Sequence, residues 1–253
     1  MPIRNFSFIA AVLALLLGSS WVTGCGLQQK GKGQLANQKS NSSSQDIDDF
    51  NGVGLYGNSI DEHPKDADVY NDICAAKFDL QDYREAIAYC SEAIKINPNH
   101  AVAFYNRANS KSELNDIKGA ISDYSKAIEI DPSDDVVYVN RGGVKFQSSD
   151  YHGAIVDYGK VIEINPRNNY AFGNRCNSKI ELEYYAGAIL DCNMAIKIDP
   201  NYPNAYNNRA TAKFATGDRA GACLDWNKAA SLGIETTAQW LNSESGAWCG
   251  FAQ

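Results

Sequence analysis

Hydrophobic and polar positions along this chain repeat. Between residues 67 and 236 the same order of large, small and charged residues returns every 34 positions. Asn97-Pro98, Asp131-Pro132, Asn165-Pro166 and Asp199-Pro200 mark the period. Each follows a largely apolar tetrad: Ala93-Ile94-Lys95-Ile96, Ala127-Ile128-Glu129-Ile130, Val161-Ile162-Glu163-Ile164 and Ala195-Ile196-Lys197-Ile198. With proline at repeat position 32, the units are 67–100, 101–134, 135–168, 169–202 and 203–236, the last carrying Ile234 in place of proline. Position 4 is aromatic (Tyr70, Phe104, Tyr138, Phe172, Tyr206) and position 8 is small (Cys74, Ala108, Gly142, Cys176, Ala210). Position 20 is alanine throughout: Ala86, Ala120, Ala154, Ala188 and Ala222. Large residues alternating with small ones at helical spacing predict two amphipathic helices per unit, pressed closely together. Asp82, Asp116, Asp150 and Asp218 fall in the turn between them, where an aspartate caps the second helix, and Asp82 with Glu85 has capping-box spacing. The prolines then stop that helix from running on.

This pattern resembles the tetratricopeptide repeat over residues 67–236. The resemblance implies an all-α fold in which antiparallel helix pairs stack into a right-handed superhelix with a concave groove. Residues 237–244, around Trp240 and Leu241, are expected to form a short capping helix within a C-terminal segment, 237–253.

The residues before the repeats read differently. Residues 1–24 have one cation, Arg4, then an apolar run from Phe8 to Leu17, too short for a comfortable membrane span. The run ends at Val22-Thr23-Gly24-Cys25, which resembles a bacterial lipobox. That likeness implies cleavage before Cys25 and acylation of it by several chains, enough for stable anchoring. An ordinary signal peptide with a chance cysteine is the alternative. Residues 25–62, rich in Gly, Ser, Asn and Gln, read as a flexible tether, followed by the repeat domain, 63–236. The expected location is the cell envelope, facing the periplasm. Gly26, where some bacteria place an inner-membrane retention Asp, favours the outer membrane.

Two pairs of positions change together. Position 7 is Ile73, then Arg107, Arg141, Arg175 and Arg209; position 23 is Tyr89, then Asp123, Asp157, Asp191 and Asp225. Arginine and aspartate arrive together, and the two positions lie opposite across the turn, so an ion pair is expected in each of units two to five. An Arg row for an anionic ligand is the competing reading; partnered buried charges are more often structural. Positions 8 and 24 are Cys74 and Cys90 in unit one, and Cys176 and Cys192 in unit four. Helices packed 8–10 Å apart put facing Cα atoms roughly 3.5–5.5 Å apart, overlapping the disulfide window. Cysteine as an ordinary small core residue is the alternative. The count of seven cysteines, odd for a disulfide framework, then resolves into Cys25 for lipid, two intra-unit bridges, and Cys223 with Cys249 left as a third pair.

The resemblance also places position 6 on the groove, where some superhelical members grip a peptide backbone with an asparagine ladder. Here the position holds Asp72, Asn106, Asn140, Asn174 and Asn208, with Asn109 and Asn177 at position 9 widening the strip. A carboxamide both donates and accepts, so it can pair with any peptide unit. Bonding between neighbouring units is the plainer role. The basic residues of a carboxylate clamp are missing from positions 2, 5 and 6. Lys77, Lys111, Lys145, Lys179 and Lys213 recur at position 11 and read as stems packed along the helix with ammonium groups in water.

Composition narrows the function. The 44% apolar content excludes wholesale disorder, and 23 Lys+Arg against 30 Asp+Glu, net −7, argues against nucleic acid. His63, His100 and His152 are isolated, and no metal-ligand spacing, phosphate loop or nucleophile elbow is present, so no metal, cofactor or catalysis is expected. The expected function is a lipid-anchored, non-enzymatic scaffold binding a protein partner, as an extended segment, in the groove. A glycan or small-ligand binder using Tyr105, Tyr170 and the Asn row is the alternative. The sequence leaves the partner and the oligomeric state open.

Overall fold

The computed structural model of the chain describes residues 66–251. The expected signal peptide, Cys25 and the tether lie outside those residues. Among the described residues there are eleven α-helices: α1 (Ala67–Asp79), α2 (Tyr83–Ile96), α3 (Ala101–Glu113), α4 (Ile117–Ile130), α5 (Asp135–Gln147), α6 (Tyr151–Ile164), α7 (Asn169–Glu181), α8 (Tyr185–Ile198), α9 (Pro203–Ala215), α10 (Arg219–Ser231) and α11 (Glu235–Leu241). A 3-10 helix, Ala247–Phe251, follows. The odd-numbered helices α1 to α9 begin on the first residue of each 34-residue unit, and α2 to α10 supply the second helices.

Local chemistry fixes each turn. Position 15 takes left-handed backbone in all five units: Gln81, Asn115, Ser149 and Glu183 at φ 60–65°, and Gly217 at 91°. Position 16 then caps the second helix. Asp116, Asp150 and Asp218 accept from the backbone N–H of Gly119, Gly153 and Gly221 at 2.9–3.0 Å. A Cβ on any of those glycines would overlap the capping carboxylate. Asp82, opposite Glu85, accepts at a longer 3.4 Å, and Tyr184 in unit four makes no side-chain cap.

Within a unit the helices meet through buried small residues: positions 8, 20 and 27 are closed to solvent in every unit. Position 24 carries the bulk, as Tyr124, Tyr158 and Trp226, except where Cys90 and Cys192 stand. Each second helix packs on the next unit's first helix, and first helices of adjoining units also touch, α1 on α3 and α7 on α9. No comparable packing joins successive second helices among the described residues. The first helices therefore form the inner layer and the second helices the outer one. The product is an all-α solenoid.

The cap differs from expectation. Its helix spans Glu235–Leu241, starting two residues earlier than 237 and ending three short of 244. Gly233, at φ 105°, closes α10 and frees Ile234 to start the next helix at once. Gly246 lets the chain fold back where any Cβ would overlap the Trp240 carbonyl. Trp226, Trp240, Trp248 and Phe214 then seal the last unit, the Trp226 and Trp240 rings lying 4.8 Å apart. No described helix is long and apolar enough to cross a membrane.

Candidate functional site

At 100° per residue, positions 4, 8 and 11 of a first helix point toward its second helix, and positions 2, 6 and 13 point away from it, with position 9 at the edge of that face, within reach of a long side chain from the second helix. Positions 2, 6, 9 and 13 form the concave stripe. It carries Asp68, Asp72 and Asp79 in α1, Val102, Asn106, Asn109 and Glu113 in α3, and Val136, Asn140 and Gln147 in α5. It continues with Tyr170, Asn174, Asn177 and Glu181 in α7, then Asn204, Asn208 and Thr211 in α9.

The asparagines divide into two sets. Asn106 Nδ2 donates to Asn71 Oδ1 of the preceding unit at 2.9 Å. Asn140 is buried; its Nδ2 donates to the Tyr105 hydroxyl at 3.1 Å and faces Asn109 Oδ1 at 3.4 Å. Asn109 is buried too and accepts from the Tyr124 hydroxyl at 2.6 Å. These three tie unit to unit or helix to helix. Asn174 and Asn208 are half-buried and make no side-chain hydrogen bond among the described residues. Asn177 Oδ1 is shielded without a donor, because the tyrosine that serves Asn109 is replaced in unit four by Cys192. Tyr105, a ligand contact in the glycan reading, is only 5% exposed, so it is corrected to a core residue; Tyr170, edge-on to Tyr202, stays 47% exposed. Burial pushes the Tyr105 and Tyr124 hydroxyls above their ordinary pKa.

The arginines face inward. Arg107, Arg141, Arg175 and Arg209 each grip Asp123, Asp157, Asp191 and Asp225 through Nε and Nη2 at 2.6–2.9 Å. Every guanidinium also lies 5.4–5.7 Å from the centroid of its own position-4 ring. Nη1 reaches the preceding unit, donating to Ser91, Ser125 and Asn193 from Arg107, Arg141 and Arg209. The position-11 lysines depart from expectation. Lys111, Lys145, Lys179 and Lys213 place Nζ 2.7–2.8 Å from those same aspartates. Each buried carboxylate thus has two cations, and the lysines are not simply solvated. In unit one, with Ile73 and Tyr89, Lys77 turns to Glu85. With their forks occupied, the arginines offer little to an anionic ligand.

Among the described residues there are three disulfides, Cys74–Cys90, Cys176–Cys192 and Cys223–Cys249, with Cα atoms 5.3, 5.6 and 5.3 Å apart. The third pins the 3-10 helix to α10. His63 lies outside the described residues. His100 caps α3 through Nδ1, and its Nε2 is 3.0 Å from Asp68; the His152 ring lies 6.2 Å from that of Tyr184, tilted by 60°.

One feature escaped sequence reasoning. Val156, Leu190 and Leu224, all at position 22 on the outer layer, are 62%, 67% and 63% exposed. The apolar residue types were visible, but which side of a second helix faces solvent emerges only from packing.

Fold and repeat chemistry together define an α-solenoid of five helix pairs, similar to those built from tetratricopeptide repeats. The tetratricopeptide repeat family profile matches residues 67–100 and 101–134. Among solved structures, MamA aligns with TM-score 0.61 and 21% identity, over 70% of this chain and 95% of its own. YrrB, described as a TPR protein with an unusual peptide-binding site, aligns with TM-score 0.62 and 16% identity over 69% and 91%. PilF from Pseudomonas aeruginosa aligns with TM-score 0.59 and 18% identity over 73% and 89%. At these identities the likeness establishes the fold. No curated protein sequence matches the chain significantly.

Proposed function

We propose that the protein is a lipid-anchored, non-enzymatic scaffold that holds an extended segment of a protein partner in its concave groove at the cell envelope. Solenoids of this kind present concave surfaces for binding. The observation that carries the reading is the pair Asn174 and Asn208: two half-buried carboxamides at one repeat position with no internal partner. A carboxamide in that state can donate to and accept from a peptide unit whatever its side chain. Among the solved neighbours, YrrB is a repeat protein with a peptide-binding site, which agrees. The anchor rests on Val22-Thr23-Gly24-Cys25, which would place acyl chains on Cys25 and leave residues 25–62 as the tether. An envelope location facing the periplasm, with the outer membrane favoured by Gly26, follows from the same residues.

The test is crosslinking of the intact lipidated protein in its membrane. Capture of a polypeptide that is lost in the Asn174→Ala, Asn208→Ala variant supports the scaffold. Unchanged capture removes these asparagines from the binding surface. Loss of capture on adding soluble glycan favours the glycan reading, for which exposed Tyr170 is the remaining aromatic contact.

A further inference from the structure

We propose that the segment this groove accepts is cationic: an extended peptide carrying lysine or arginine along its length. The inference rests on the groove reading above and names its partner class. Five of the twenty concave-stripe positions are carboxylates (Asp68, Asp72, Asp79, Glu113 and Glu181) and none is lysine or arginine. The cations of the inner layer sit at positions 7 and 11, on the opposite side of each helix, held by Asp123, Asp157, Asp191 and Asp225, or by Glu85 for Lys77. The groove therefore presents carboxylates and carboxamides without lysine or arginine to neutralise them, His100 Nε2 lying 3.0 Å from Asp68.

The local chemistry points the same way. On α7 Asn177 Oδ1 is shielded from water without a donor, and one helical turn on so is Glu181 Oε1, although Tyr151 hydrogen-bonds the Glu181 carboxylate. Leaving acceptors so is costly, and ammonium and guanidinium groups are donors only. Burial, and next the Asp68 carboxylate, raise the Asp72 carboxyl above its ordinary value, against a lowering contribution from His100. Burial likewise raises Glu181, against the lowering hydrogen bond of Tyr151. Both carboxylates would gain from an arriving positive charge. The charges spread over units one, two and four instead of converging, and no group of three or more potential metal ligands exists among the described residues. A chain bearing charges at intervals matches that distribution better than a point ion does.

The experiment measures fluorescence anisotropy of the full chain with three labelled peptides. They share one extended host sequence and carry lysine, glutamine or glutamate at alternate positions. The lysine peptide is expected to bind about tenfold tighter than the glutamine peptide at low salt, each engaged carboxylate adding a few-fold. The advantage should fade at high salt. Substituting Asp72→Asn, Glu113→Gln and Glu181→Gln together should cut it to a few-fold at most, since Asp68 and Asp79 remain. Glu92→Gln, Glu129→Gln and Glu163→Gln, an equal charge change on the outer helices, should preserve it. Equal affinity for lysine and glutamine peptides overturns this inference and leaves the groove reading standing. Equal loss in both triple variants also overturns it, since the attraction would then be to the whole molecule's charge. If no peptide binds, both fall. The salt series on the unmodified chain decides the matter even if the groove variant misfolds.

Discussion

Replacing Asp157 with Asn should destabilise the solenoid by about 2–4 kcal/mol. Asp157 is 1% exposed and accepts from Arg141 at 2.7 and 2.9 Å, while Lys145 Nζ lies 2.8 Å away. Asparagine keeps the volume but leaves two cations without a counter-charge. Removing one partner of a fully buried pair costs about 3–5 kcal/mol. The Arg141 and Lys145 side chains retain 16% and 15% exposure, so water recovers part of that. A charge swap between positions 141 and 157 is a poorer test, because it sets Lys145 against the new arginine. Urea denaturation followed by far-UV circular dichroism reads the effect as a lower midpoint at unchanged slope. Lys145→Met alone should cost about 1 kcal/mol, since Arg141 still neutralises Asp157. In the Asp157→Asn background it should cost nothing or stabilise, giving a coupling of about 1–2 kcal/mol. A cost below roughly 0.5 kcal/mol for Asp157→Asn, or strict additivity of the two changes, would refute the triad as a coupled unit.

Gly153→Ala should gain none of the roughly 1 kcal/mol that alanine ordinarily has over glycine in a helix, because its Cβ displaces the Asp150 cap, worth about as much; a full 1 kcal/mol of stabilisation would count against that. Ser149→Gly should stabilise by about 0.5–1 kcal/mol by relieving left-handed backbone at φ 65°, and a lower Tm would contradict it. Breaking Cys74–Cys90 with paired Cys→Ala changes should cost about 3 kcal/mol, as the chain-entropy relation gives for a sequence separation of 16. Non-reducing mass spectrometry should find 74–90, 176–192 and 223–249 linked; six freely alkylated thiols would refute the bridges.

The elements were legible because they repeat. Five units in phase set the helix bounds, and the joint arrival of Arg and Asp at positions 7 and 23 pointed to the side chains that meet. The third partner stayed hidden. Lysine occupies position 11 in all five units, including the one without aspartate, where Lys77 finds Glu85 instead. Co-variation cannot reveal a residue that does not vary. The asparagines failed to read as one ladder for a different reason. Asn140 is taken up by Tyr105, 35 residues away and in the preceding unit, so its burial depends on what the neighbouring unit places at position 5. Before Asn174 that position holds Val139, and before Asn208 it holds Gly173; neither offers a hydrogen-bonding side chain, and both asparagines are left open. The cap was mislocated for want of long-range information, since where it closes depends on Gly246 meeting Trp240 and on Thr237 donating to Asn207 at 2.9 Å.

The groove itself is tested most directly by site-specific photocrosslinking in the native envelope. A photoreactive residue would be placed at 174 or 208 on the inner layer, and at 129 or 163 on the outer layer. Adducts to polypeptide from the inner positions, absent from the outer ones and competed by the lysine peptide, are the predicted result. Adducts confined to positions 129 and 163 would contradict it and move the binding surface to the outer helices.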